Sequence, residues 1–254
     1  MDLSVPSATL AALLLGTVRA SGFIILAPPF NSPGIPAAVK GALAMALSLV
    51  VLPHISGQLP SITASFLVLA TFTEALIGAA LGFLVQLLFT AVQLAGNMID
   101  LAGGFSLQPA YDPMAQTANG SIGKLYNLLA TTLLFTSGGH LLLVRGFVTS
   151  YEGLPIGGSI DTAQLGHTLI IAFSKMFLAA VQIGGPMVAV LLLADVALGL
   201  LTKAAPALNV FTIGFPVKIM LTLALLGLTF PLLPPAVDGL LGTALDALTS
   251  FRSG

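Results

Sequence analysis

Apolar residues run in long stretches over residues 7 to 27, 38 to 53, 62 to 99, 121 to 149, 166 to 202 and 217 to 233, with an apolar tail to about 249. The stretches lack the strict alternation of barrel strands, so they predict helices and an all-α, polytopic membrane protein. About 20 helical residues cross a bilayer core of about 30 Å. The stretch from Ile62 to Ile99 is far longer and holds one charge, Glu74. As a single helix it would reach about 57 Å, so it either folds back or projects beyond the lipid. A projecting helix would leave apolar side chains in water unless other subunits covered them, which favours a multi-subunit assembly. Gly184-Gly185-Pro186, near the middle of another long stretch, predicts a kink or reversal, because proline removes a helical hydrogen bond and clashes with the preceding turn. Turn-prone segments separate the runs at Pro28 to Pro36, Pro53 to Ser61, Gly103 to Gly120, Glu152 to Asp161 and Lys203 to Pro216. None is long enough for a soluble domain, and residues 1–254 are expected to form one membrane domain.

Composition strengthens this reading. The chain is 57% hydrophobic and only 7% charged, where a soluble domain carries about 25% charged residues. Such a chain cannot cover its surface with polar groups, so lipid or partner helices must surround it. Eight basic and nine acidic residues are scattered singly, leaving a net charge of -1 and no basic stripe for nucleic acid. The absence of cysteine excludes disulfides, thiolate metal sites and a cysteine nucleophile. The first apolar run has no basic region before it and exceeds the core of a signal peptide, so it is expected to remain as a membrane segment.

Four charges fall inside apolar stretches: Arg19, Glu74, Lys175 and Asp195. Intramembrane charges are costly and mark either ion pathways or charge pairs that fix assembly geometry. His54, His140 and His167 are too dispersed to predict a metal site. No nucleophile elbow, phosphate loop or dinucleotide fingerprint occurs, so neither an enzyme nor a cofactor is expected. Gly78 and Gly82 form a G-x-x-x-G pair flanked by Ala75, Ala79 and Ala80, a surface that another helix backbone can approach closely. The segment from Gly103 to Met114 has glycines, two prolines and aromatics between long apolar runs, which predicts a shaped loop.

Over roughly residues 10 to 230 the chain resembles the FliR family of flagellar export-gate proteins, which is related to subunits of virulence type III secretion systems. The resemblance rests on Arg19, Pro29-Phe30, Pro36, Lys40 and Pro53, then on Ala95-Gly96, Gly104-Phe105-Ser106, Asp112-Pro113, Gly139-His140 and Ser150 through Pro155. It continues through Pro186, Asp195, Gly199, Pro206, Leu208 to Phe211 and Gly214 to Lys218. Ala102, Gly138 and Ala207 depart from the pattern, standing where the family often has glutamine, asparagine and glutamine. The resemblance implies a subunit that assembles with FliP-like and FliQ-like proteins into a helical, conical channel in the bacterial inner membrane, at the flagellar basal body. FlhB-like and FlhA-like export proteins would be partners, and unfolded protein substrates would pass through, energised elsewhere. It also implies a plug loop carrying Gly104, Phe105, Ser106, Pro109, Tyr111, Asp112, Pro113 and Met114. The residues leave two alternatives open: a virulence-system paralogue, and an ion-coupled secondary transporter using Glu74, Lys175 or Asp195 beside a helix broken near Pro186.

Overall fold

The computed structural model describes residues 6–57, 62–105, 120–158, 162–205 and 210–249, which contain helices and turns. In chain order the helices are α1 (Ser7–Leu26), α2 (Ala37–Ile55), α3 (Ala64–Gly103), α4 (Ser121–Thr136), α5 (Gly139–Gly153), α6 (Thr162–Ala204), α7 (Val210–Thr229) and α8 (Leu233–Thr249), with a 3-10 turn at Phe230–Leu232. By length and composition α1, α2, α3 and α6 can each cross a membrane. Two bent pairs, α4 with α5 and α7 with α8, raise the number of possible spans to six among the described residues.

The long apolar stretches are resolved in opposite ways. Residues 64–103 form one helix of 40 residues, so the stretch does not fold back. Of the kink or reversal expected at Gly184-Gly185-Pro186, the reversal does not occur: α6 runs for 43 residues with Pro186 inside it. A reversal in apolar surroundings would strand backbone groups with no water to receive them, whereas continuing the helix loses little beyond the proline's own hydrogen bond. Gly184 has a different purpose, since a Cβ there would lie 3.0 Å from the Ala95 carbonyl oxygen of α3. The run over residues 121 to 149, by contrast, breaks into α4 and α5 at Ser137 and Gly138. Gly138 supplies the left-handed backbone at this break, with φ 73°, and α5 begins at the next residue.

The chain divides into two compact units. The first comprises Met1–Leu88, Gly138–Phe173 and Leu241–Gly254, and the second Phe89–Ser137 and Ser174–Leu240. Within the first unit α1 packs along α2, where Ser48 Oγ donates to the Leu13 carbonyl at 2.8 Å and fills the space left by Gly16. The buried aromatic contacts run from Phe23 to Phe147, with ring centroids 5.0 Å apart, and on to Tyr151 in an edge arrangement at 5.7 Å. Within the second unit the C-terminal part of α3 is enclosed, with Phe89, Ala91, Val92, Ala95 and Ile99 fully buried. Large apolar side chains remain open on α6 and α7, among them Leu193 at 69% and Met220 at 73% exposure. That distribution requires hydrocarbon or partner helices around the chain.

Candidate functional site

Each unit holds one cluster of buried polar residues built around a charged side chain. In the first unit Arg19 of α1 and Glu74 of α3 are both completely buried, and Arg19 Nε donates to Glu74 Oε2 at 2.5 Å. The remaining guanidinium donors reach α5 and the residue that follows it: Nη2 donates to the Leu154 carbonyl at 2.8 Å, and Nη1 lies 3.5 Å from Ser150 Oγ. Tyr151 stacks under the guanidinium, 3.9 Å from its carbon to the ring centroid, and its hydroxyl donates to the Gly16 carbonyl at 3.3 Å. One arginine thus joins α1, α3 and the end of α5 through a charge pair, hydrogen bonds and a cation–π contact, a combination that only a planar, multi-donor cation provides.

Small residues allow this approach. Gly78 faces the Arg19 backbone so closely that a Cβ would overlap its carbonyl oxygen, and a Cβ on Gly82 would lie 2.6 Å from the Phe23 oxygen. Gly22 answers from α1, with a Cβ there 2.9 Å from both Ala75 O and Ala79 N. The G-x-x-x-G surface of α3 therefore lies directly against α1, and the crossing brings Arg19 to Glu74. Glu74 Oε1 has no hydrogen-bond partner among the described residues. The cluster is buried, neutral as a pair, and links α1, α3 and the end of α5.

In the second unit the decisive residue is Asp100, which is 2% exposed. Its carboxylate accepts the backbone N–H groups of Ile122 at 3.1 Å and Gly123 at 2.9 Å, capping the first turn of α4 from α3. Three glycines permit this. A Cβ on Gly96 would lie 2.7 Å from Gly123 Cα, one on Gly123 would overlap Asn97 Oδ1, and one on Gly120 would overlap the Asp100 carboxylate. Beside this contact Asn127 Nδ2 donates to Gln93 Oε1 at 3.4 Å. The segment between α3 and α4 begins with Gly104, at φ 82°, and Phe105, which is half-buried. Ser106, Pro109, Tyr111, Asp112, Pro113 and Met114 lie outside the described residues.

The other two charges differ from the Arg19–Glu74 pair. Asp195 of α6 pairs with Lys218 of α7, with Nζ 2.7 Å from Oδ1 and 2.9 Å from Oδ2, and the aspartate side chain is 43% exposed. Lys175 is exposed on α6 and forms no ion pair among the described residues. No group of three or more His, Cys, Asp or Glu side chains could hold a metal among the described residues. Sequence reasoning missed Asp100, although a lone carboxylate closing an apolar run is a recognisable signal. It also missed Ser150 and Tyr151 as partners of Arg19, because 131 residues separate Arg19 from Ser150.

Comparison with known proteins places these features in a family. The profile of the bacterial export proteins, family 1, matches residues 10–244. The flagellar biosynthetic protein FliR of Escherichia coli is 31% identical over 93% of this chain and 90% of its own length. The protein of the same name from Bacillus subtilis is 31% identical over 85% of the chain and 84% of its own length. The secretion system apparatus protein SsaT of Salmonella typhimurium is 29% identical over 87% of the chain and 88% of its own length. The match spans α1 to α8, takes in Arg19, Glu74 and Asp100, and shows that the chain belongs to family 1 of the bacterial export proteins, the family of FliR.

Proposed function

We propose that this chain is a structural, channel-forming subunit of the flagellar type III protein-export gate, through which unfolded flagellar substrates cross the bacterial inner membrane. The observation that carries the reading is the family match over residues 10–244 of a chain whose helices outrun a bilayer. At 40 and 43 residues, α3 and α6 extend about 60 Å or more, twice the hydrocarbon thickness. Their open apolar faces require neighbours above the lipid as well as within it. FliP-like and FliQ-like membrane subunits are the proposed neighbours, with FlhB-like and FlhA-like export proteins alongside, at the flagellar basal body. On this reading residues 1–254 act as one membrane domain.

The transporter alternative is disfavoured by the charges themselves. Glu74 is engaged by a buried arginine, Asp195 pairs with Lys218, and Pro186 sits in a helix that continues past it. An ion site at a broken helix needs a free carboxylate and unwound backbone. The secretion-apparatus alternative rests on SsaT, while the flagellar names recur among the most similar relatives at up to 31% identity.

The segment from Gly104 through Met114 is proposed as the plug that keeps the resting channel closed. Deleting residues 106 to 116 in cells with an otherwise complete apparatus is expected to raise membrane permeability to small ions. Unchanged permeability, with the truncated subunit assembled at its normal level, would overturn the plug assignment.

A further inference from the structure

Beside the Asp100 cluster an uncharged polar strip runs along a mostly apolar part of α3. Between Phe89 and Ile99 the residues that are not buried are Thr90, Gln93, Leu94, Asn97 and Met98, which share one face of α3. Gln93 and Asn97 carry amides there, and Asn127 of α4 adds a third through its hydrogen bond to Gln93. Asn97 Oδ1 is buried against Gly123 of α4, with no partner among the described residues, so only the amide nitrogen of Asn97 is left for the open side of the strip. Most open positions of α6 carry apolar side chains, as at Leu192, Leu193 and Val196, which are 55 to 69% exposed, beside the exposed Ser174, Lys175 and Gln182. Hydrocarbon over Gln93 and Asn97 would strand amide donors and acceptors at a cost of roughly 1–3 kcal/mol each. Whatever covers this strip must therefore offer hydrogen bonds.

We propose that Gln93, Asn97 and Asn127 form an amide strip facing the aqueous export path, where they exchange hydrogen bonds with the backbone of the passing unfolded chain. The proposal rests on the channel reading given above and adds which residues of this subunit touch the cargo. Amides suit that role because together they offer both donors and acceptors and match peptide groups whatever the cargo's side chains. They carry no charge that would hold an acidic or basic segment in place, and a conduit needs contacts weak enough to release. Asp100 positions the strip: by capping α4 at Ile122 and Gly123 it fixes Asn127 beside Gln93.

The chain contains no cysteine, so single-cysteine variants report one position each. Q93C and N97C are compared with L192C, on an open apolar face, and I99C, which is fully buried. Membranes carrying the complete export apparatus are treated with a charged, water-soluble methanethiosulfonate, with and without an export substrate stalled by a fused, tightly folded domain. Q93C and N97C are expected to react at least about tenfold faster than both controls, since burial in apolar surroundings suppresses the reactive thiolate. The stalled substrate is expected to remove most of that advantage. If the apparatus assembles and exports but Q93C and N97C react no faster than the controls, the strip lies against a partner subunit and the proposal fails while the channel reading stands. Fast reaction that a stalled substrate leaves unchanged also overturns it, because the strip is then wet but untouched by cargo. If no complex assembles around the unsubstituted chain, the channel reading itself fails.

Discussion

Arg19 illustrates why an apolar chain keeps a charge at a buried position. Removing either member of a buried ion pair leaves the other desolvated and uncompensated, at a cost of about 3–5 kcal/mol, whereas replacing both with well-packed apolar residues is often neutral. Arg19→Ala and Glu74→Ala are each expected to destabilise the purified protein by that amount in thermal unfolding, while the pair Arg19→Met with Glu74→Leu retains most of the stability. Arg19→Lys should recover little, because an ammonium cannot both pair with Glu74 and reach the Leu154 carbonyl across the Tyr151 ring. Equal loss in the double and single variants would show that the pair does more than hold helices together. Gly138 raises a different question at the same scale. Its φ of 73° is open to asparagine as well as glycine, and nothing lies within 4 Å of a Cβ there. Gly138→Asn is therefore expected to be tolerated within a few tenths of a kcal/mol, and Gly138→Val to cost about 1–2 kcal/mol, by the same unfolding measurement.

At the scale of elements, one close helix contact stands out in each unit. The α1–α3 crossing depends on Gly78, where even a methyl group would meet the Arg19 carbonyl. Gly78→Ala should force the helices apart at a cost of about 1–3 kcal/mol, and chemical cross-linking between cysteines placed on α1 and α3 should weaken accordingly. The α3–α4 contact depends on Asp100. Asp100→Ala removes a charge-assisted cap from two buried N–H groups, and a loss of about 1–2 kcal/mol is expected, with faster amide exchange confined to the first turn of α4. Uniform exchange along α4 would contradict the capping role. These elements were not equally legible. Helix class, the boundaries of α1 and α2 and the small-residue face at Gly78 and Gly82 follow from local spacing, which a sequence displays directly. The partner of Glu74 lies 55 residues away on another helix, and no local pattern announces which of several lone charges it meets. At Pro186 the sequence predicts a kink or a reversal, and the continuous α6 removes only the reversal, whose freed backbone groups could not be solvated in apolar surroundings. The candidate plug beyond Phe105 lies outside the described residues, so its reading rests on resemblance alone.

At the scale of the whole molecule, the family match spans residues 10–244 and the described helices carry far more apolar surface than one chain can cover. A monomer of this kind would be an incomplete object: α6 presents exposed apolar side chains from Phe177 to Leu201, a rise of about 36 Å that exceeds the hydrocarbon core. The account therefore predicts that the functional unit is a hetero-oligomer of small membrane proteins, with this chain as one stoichiometric part. The most direct test is to co-express the chain with FliP-like and FliQ-like subunits from the same organism, purify it in mild detergent and measure the mass of the intact complex. A discrete hetero-oligomer containing one copy of this chain is the predicted result. A monomer or homodimer that excludes those subunits would contradict the export-gate assignment.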